Sequence, residues 1–119
     1  MYRMAYAATA ALLSLAMVSS AGAGSHDLTG VWHTNGGVTF YVRQLGNEIW
    51  WFGEQAPNNP RWTNVASGTL QGDEVRVQWV DVPMGGTRNQ GTLGLRVVAE
   101  NHLVVDANPN DFWNADWVR

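Results

Sequence analysis

The side chains best suited to chemistry in this 119-residue chain are aromatic and polar ones that bind rather than react. Seven tryptophans occur, all from Trp32 onward, which is more than a small core needs. Indole rings beside Asn and Arg suit the apolar faces and hydroxyl groups of sugars, and Trp and Arg are equally the usual anchors of protein interfaces. The candidate ligand-binding residues are Tyr41, Arg43, Trp50, Trp51, Trp62, Asn64, Trp79 and Arg88.

Two features of this set bear on exposure. Trp50 and Trp51 are adjacent, so in a strand one ring points inward and the other outward. An outward Trp needs a covering partner, because an exposed large ring lowers solubility. Trp62 follows a loop and is a second candidate for exposure. The alternative is that these rings pack against loops of their own domain.

Arg43 shares a strand face with Tyr41 and Leu45. If that face points inward, the guanidinium is a buried charge that requires a partner. We therefore expect a carboxylate or an acidic ligand group beside Arg43.

The sequence does not favour catalysis. His33 and His102 fall in different segments, and no strand-to-helix serine elbow or nucleotide-binding glycine pattern accompanies them. Asp81 shares a strand face with Trp79 and could act as a general base, but a strand-end carboxylate is more typical of a solvated rim or turn residue. The prediction is a protein that is not an enzyme and needs no cofactor.

Residues 1–23 have the pattern of a secretory signal peptide. An apolar run from Ala5 to Val18 precedes Ala21-Gly22-Ala23, the small-x-small pattern that signal peptidases accept. The run is shorter than the roughly 20 residues of a membrane anchor, which is the alternative. The sequence thus predicts a secreted or periplasmic protein, with no membrane span after signal removal and one domain over residues 24–119.

Cleavage after Ala23 would leave Gly24-Ser25-His26 as the N-terminus. The terminal amine, two backbone amides and the imidazole could then form a square-planar site of four nitrogens, which suits Cu(II). The alternative is a flexible leader without a role, and cleavage after Ala21 would abolish the site.

The composition limits the possible partners. Residues 24–119 contain six Arg, no Lys and ten acidic residues, a formal charge of −4. Nucleic-acid backbones need clustered basic residues, so nucleic acid is not an expected partner. No cysteine occurs, so no disulfide stabilises the domain.

A β-hairpin forms the centre of the predicted domain. Phe40–Leu45 and Glu48–Phe52 are rich in aromatic and β-branched residues, and Gly46-Asn47 between them tolerates the backbone of a tight turn. Similar units follow along the chain, and no segment has a helical period. The predicted strands are Thr29–Thr34, Phe40–Leu45, Glu48–Phe52, Trp62–Leu70, Glu74–Val82, Thr92–Ala99, His102–Ala107 and Phe112–Arg119.

This order predicts an all-β fold, an eight-stranded antiparallel up-and-down meander closed into a barrel. An open sheet would leave the first and last strands unpaired, and closure removes both edges. Eight strands give an interior just filled by side chains or holding one small ligand. The alternative is a β-sandwich, which usually needs longer crossover connections.

Two short patterns resemble the calycin barrels, the group of lipocalins and avidins. Gly30-Val31-Trp32 in the first strand and Trp117-Val118-Arg119 in the last match the Gly-x-Trp and closing Arg of that group. The resemblance implies a structural seam of Gly30, Trp32, Trp117 and Arg119, with the guanidinium over the Trp32 ring. The pattern Tyr-x-Arg-Gln-x-Gly-Asn-x-x-Trp-Trp-x-Gly from Tyr41 is also similar to small secreted bacterial proteins of unassigned function.

The chain departs from this group at the positions that contact biotin in avidins, which here are Thr34 and Val38, so biotin binding is not implied. The function expected is a secreted, non-catalytic binding module that holds a small apolar or amphipathic ligand at the barrel mouth. The alternative is a protein- or glycan-interaction module that uses an exposed Trp, Arg and Asn surface and has a filled barrel.

Overall fold

The structure, a computed structural model, describes residues 26–110 and 116–119. Three predictions fall partly or wholly outside these residues: the signal peptide, Gly24 and Ser25 of the copper site, and residues 112–115 of the last strand, which include Trp113. The strands are β1 Gly30–Thr34, β2 Thr39–Leu45, β3 Glu48–Glu54, β4 Thr63–Gln71, β5 Glu74–Asp81, β6 Gln90–Ala99, β7 His102–Ala107 and β8 Asp116–Val118.

These strands form the predicted closed antiparallel meander. Each strand pairs with the next along the chain, and β1 pairs with β8 to complete the barrel. Strand boundaries differ by only a residue or two from those predicted, apart from β8. In the described part of the chain, no helix is long and apolar enough to cross a membrane.

Tight turns join the hairpins at one end of the barrel, which we call the turn end. Gly46 adopts φ 61° in the β2–β3 turn, and Gly72 adopts φ 62° in the β4–β5 turn. An L-residue rarely occupies this left-handed region, so these glycines allow the chain to reverse within two residues. The opposite end, which we call the loop end, carries the longer connections, including 55–62 and 82–89.

The interior is filled by apolar side chains, because alternate residues of each strand point inward. Along β5 the inward Val75, Val77 and Trp79 are buried, as predicted. Towards the loop end, the rings of Phe40 and Trp117 stack with centroids 3.9 Å apart. Trp51 packs edge-on against both rings. Phe40, Trp117 and Trp32 have 0 % exposure, so large aromatic rings occupy the barrel axis.

The turn end is closed by Arg119. Its guanidinium carbon lies 4.6 Å from the centroid of the Trp32 ring. The guanidinium also donates to the carbonyl oxygens of Thr29 and Glu100 and to Oδ1 of Asn101, at 3.1, 2.9 and 2.9 Å. The Trp32 indole in turn donates to the carbonyl of Leu28. Arg119 therefore links the entry to β1, the β6–β7 turn and the end of β8.

Candidate binding surface on the outer wall

An apolar row crosses the outer wall of the barrel from β1 to β5. The strand register pairs each member of this row with the next, so the side chains lie next to one another although they are distant in sequence. All have between 36 and 44 % of their surface exposed, and the rings of its two aromatic members stack at 6.3 Å. This apolar row consists of Val31, Tyr41, Phe52, Val65 and Val80.

A second row, which we call the neutral row, runs beside the first. It consists of Trp50, Ser67, Gln78 and Thr92, each paired with the next across β3 to β6. Trp50 is 47 % exposed, and its strand neighbour Trp51 is buried, as alternation predicted. The outer wall thus presents an apolar row and an uncharged polar row in parallel.

A groove of about 690 Å³ lies along these rows, and we call it the outer groove. Exposed and buried residues alternate along its lining, which places the groove on the outer face with the backbones of β3–β6 as its floor. The side chains of the neutral row line it, together with Gln90 and Asn110. Of the described residues that line it, none is charged.

Asn110 closes one side of the outer groove. Its Oδ1 accepts a hydrogen bond from the Thr92 backbone amide at 3.0 Å, at a point where β6 extends past the end of β7. A Cβ atom on Gly91 would clash with the same oxygen, so glycine at this position leaves room for the Asn110 side chain. The bond satisfies a strand amide and fixes the Asn110 side chain at the groove.

Three of the candidate ligand-binding residues lie inside the barrel. Trp51, Asn64 and Trp79 are buried. Asn64 is 1 % exposed, and its Oδ1 accepts a hydrogen bond from the Trp51 indole at 3.0 Å. The Asn64 side chain therefore serves a polar requirement of the core, because a buried indole N–H needs an acceptor.

The predicted exposure of Trp62 is wrong. The ring is half-buried and packs against the core, with its centroid 6.3 Å from that of Phe40. Residues 55–61 precede it, and the Gln55 backbone amide donates a hydrogen bond to the Trp62 carbonyl oxygen at the other end of this loop. This loop folds over the loop end and brings the indole onto the aromatic core.

The prediction of an acidic partner for Arg43 depends on an inward-pointing face, and the condition is not met, although the charge of Arg43 contributes to lowering the pKa of Asp27. Tyr41, Arg43 and Leu45 are exposed, so their shared face points outward and the guanidinium is solvated. Among the described residues, no carboxylate lies within 4.0 Å of it. Arg88 is exposed in the β5–β6 loop, and the outer groove contains neither arginine.

The apolar row has one polar link at its edge. The Tyr41 hydroxyl donates to Glu54 at 2.9 Å, and this bond raises the pKa of the tyrosine above its ordinary value because the neutral form is the donor. The bond orients the Tyr41 ring, which stacks on Phe52. The hydrogen bond and the stacking together restrict the orientation of the Tyr41 ring within the apolar row.

The candidate acid–base residues have structural contacts. Asp81 accepts hydrogen bonds from the Thr87 hydroxyl at 2.7 Å and the Asn89 amide at 2.8 Å, and so shapes the β5–β6 loop. His102 contacts Asp116 at 3.1 Å across β7 and β8. His33 Nδ1 lies 3.4 Å from the Thr39 hydroxyl, across the pairing of β1 with β2. The histidine contacts join neighbouring strands and the Asp81 contacts hold a loop, and none of them places a base beside a candidate nucleophile in the outer groove.

His26 is the one residue of the predicted copper site that the structure describes. Its Nε2 lies 2.7 Å from Oδ1 of Asp73. Among residues 26–110 and 116–119, no group of three or more His, Cys, Asp or Glu could hold a metal. The copper site at Gly24, Ser25 and His26 stays a prediction that depends on the cleavage point.

A comparison of the chain with protein-family models, curated proteins and solved structures finds no match. The class of this protein is therefore defined by its fold, a closed eight-stranded antiparallel β-barrel.

Sequence reasoning identified Tyr41 and Trp50 but missed most of this surface. Val31, Phe52 and Val65 are ordinary strand residues by type, and only the register brings them together. One signal was available. The Gly46-Asn47 turn sets the β2–β3 register and so places Tyr41 opposite Phe52.

Proposed function

We propose that the protein is a secreted or periplasmic, non-catalytic binding module that holds its partner against the outer wall of a filled, calycin-like barrel. The observation that carries the proposal is the apolar row, which continues across five strands on the outside of the barrel. Contiguous apolar patches of more than roughly a few hundred Å² on a soluble protein usually mark interaction sites. The barrel is then the scaffold that fixes the spacing of the outer side chains.

The packing of the interior favours this function over the expected ligand at the barrel mouth. A ligand there would have to displace Phe40 or Trp117, which stack at 3.9 Å and have no exposed surface. The two arginines expected at the mouth, Arg43 and Arg88, are exposed to solvent. Binding at the mouth remains a prediction, and the experiment below distinguishes the two locations.

The test compares two serine variants on an array of glycans and extracellular proteins. Phe52→Ser removes the centre of the apolar row, and Val98→Ser is the matched control because Val98 is similarly exposed but lies on β6 outside the row. We expect an interaction of the parent protein to be retained by Val98→Ser and reduced at least about tenfold by Phe52→Ser, the factor that corresponds to about 1.4 kcal/mol.

Two results would contradict the proposal. One is a partner that binds both variants as tightly as the parent. The other is a small apolar ligand, found by native mass spectrometry, whose binding is unchanged by Phe52→Ser and lost when the interior Trp51 is changed to Phe. That second pattern would place the site at the barrel mouth.

A further inference from the structure

We infer that the partner held on the outer wall is a neutral carbohydrate and that it binds in the outer groove beside Trp50; this inference rests on the proposed function.

The charge of the outer groove differs from that of its surroundings. The chain has ten acidic and seven basic residues, yet no described residue lining the groove is charged. Charged side chains instead cluster farther along the barrel towards the turn end, where Arg76 contacts Glu74 at 2.7 Å and Asp106 at 3.4 Å. Arg43 lies across from Trp50 at the β2 end of the neutral row but does not line the groove, so a ligand with a net charge would find no counter-charge among the described lining residues. An uncharged ligand would lose no ionic solvation on binding.

The polar side chains of the groove are available for binding. Ser67, Gln78 and Gln90 make no side-chain hydrogen bond to any other residue that the structure describes. The Trp50 indole N–H is likewise without a partner within the described ranges. Amides and a hydroxyl both donate and accept hydrogen bonds, as sugar hydroxyl groups do. Their donors and acceptors therefore match a polyhydroxylated ligand.

The two rows make one side of the surface apolar and the other side polar but uncharged. Trp50 presents an aromatic ring that is 47 % exposed, next to the apolar row. A pyranose ring has an apolar face of C–H groups and a rim of hydroxyls, so it can stack on the indole while its rim reaches Ser67 and Gln78. The neutral row spans three strand spacings, roughly 14 Å from Trp50 to Thr92, which suits a short oligosaccharide.

A protein partner fits this groove less well. Protein interfaces bury a core in which polar groups are paired or excluded, with Arg among the usual anchors. Here the side chains of Ser67, Gln78 and Gln90 line the groove without a hydrogen-bond partner among the described residues, and neither Arg43 nor Arg88 lines it. A protein partner would have to present a row of hydrogen-bonding groups that matches these side chains, whereas every sugar unit of a glycan has hydroxyl groups that can do so.

The experiment titrates the purified protein with defined oligosaccharides by isothermal calorimetry and intrinsic tryptophan fluorescence. The probes are neutral hexasaccharides of glucose, xylose, mannose and N-acetylglucosamine, and anionic galacturonate and heparin oligosaccharides. We expect at least one neutral probe to bind and the anionic probes not to bind. Trp50→Ala and Gln78→Ala should each weaken that binding, Trp50→Ala by about tenfold or more. Val98→Ala, outside the groove, should bind like the parent.

The outcomes separate this inference from the proposed function. Neutral-sugar binding that Trp50→Ala and Gln78→Ala leave unchanged overturns the inference, as does selective binding of the anionic probes. If no sugar binds but a protein partner is lost in Phe52→Ser, the inference fails and the proposed function stands. If no partner of any class depends on Phe52 or Trp50, both fail. Circular dichroism of each variant confirms that a loss of binding is not a loss of fold.

Discussion

Asn64 is a polar residue that the core requires. It is the acceptor for the Trp51 indole, and a Cβ atom on the neighbouring Gly53 would lie 2.8 Å from Asn64 Oδ1 and 2.5 Å from the Phe40 ring. Glycine at position 53 therefore makes room for both side chains. The amide was predicted to bind a ligand because Asn beside Trp is common in binding sites, but the same pair also satisfies a buried indole.

Asn64→Leu should lower the free energy of unfolding by about 1–3 kcal/mol, because the Trp51 N–H would be buried without an acceptor. Ser67→Ala is the control. It lies on the outer face of the same strand, where a substitution should change stability by no more than about 0.5 kcal/mol. Urea unfolding followed by tryptophan fluorescence measures both. Equal stabilities of the two variants would show that the indole has another partner.

Asp27 should make stability depend on acid pH. Its carboxylate accepts the Thr29 amide at 3.1 Å, and this bond, with help from Arg119 and Arg43, lowers the pKa of Asp27 from its ordinary 3.8. The folded state thus favours the ionised form. The stabilisation is present above the ordinary pKa and disappears as the pH falls through the lower, folded-state value.

Asp27→Asn keeps a side-chain acceptor but cannot titrate, so we expect it to lose less stability than the parent when the pH is lowered from neutral to below 3.8. Thermal melts across this range measure the difference. Glu48→Gln, which removes an exposed carboxylate without a described hydrogen bond, controls for the change in net charge. Parallel pH curves for the parent and Asp27→Asn would contradict the assignment.

At the scale of the strands, the seam between β1 and β8 depends on side chains. Among the described residues this ladder contains two register pairs, His33 with Val118 and Thr34 with Trp117, whereas β2 and β3 share seven. Arg119 adds the stacking on Trp32 and three hydrogen bonds described above. The side chain of one residue therefore supports closure at the ladder that has the fewest pairs among the described residues.

Arg119→Ala should destabilise the protein by about 2 kcal/mol, the range for hydrogen bonds from a charged donor to partly exposed acceptors. Trp32→Ala should cost about 3–5 kcal/mol, because it also leaves a cavity. Arg96→Ala is the matched control, since Arg96 has only a 4.0 Å contact with Asp106. Thermal and urea unfolding provide the measurement. If Arg119→Ala and Arg96→Ala have the same melting temperature and the same urea midpoint, the seam does not depend on the Arg119 guanidinium.

Strand positions could be predicted from the sequence because they depend on local patterns. The alternation Val75, Val77, Trp79 and the turn at Gly46-Asn47 are signals within a few residues, and both predictions are confirmed. The binding surface could be predicted only in part. Val31 and Val80 are 49 positions apart, and their place in one row depends on four successive registers across the sheet. Loop packing, as at Trp62, also has no local signal.

At the scale of the whole molecule, apolar residues have two roles. Those inside the barrel provide most of the stability, and those of the apolar row contribute less because more than a third of each residue remains exposed. Burial of apolar area is what stabilises a fold, so substitution at these two kinds of position should have different costs.

Phe52→Ser and Val65→Ser should each lower the free energy of unfolding by about 1–2 kcal/mol, whereas Leu93→Ala in the interior should cost about 2–5 kcal/mol. The two outer variants should also bind less of an apolar fluorescent dye than the parent. Urea titration and dye fluorescence measure these effects. A cost at Phe52 similar to that at Leu93 would mean that the ring is a structural residue and not a contact surface.

The pairing of β1 with β8 also has a consequence for folding time. The other ladders join consecutive strands and can form as local hairpins, but this one must bring together segments 83 or more positions apart, such as Thr34 and Trp117. Closing so long a loop carries an entropic cost, so we expect it to be the last step. Until it occurs, the growing sheet has two unpaired edges, which can pair with those of another unfinished chain. Refolding at high concentration should therefore produce chains linked through exchanged terminal strands.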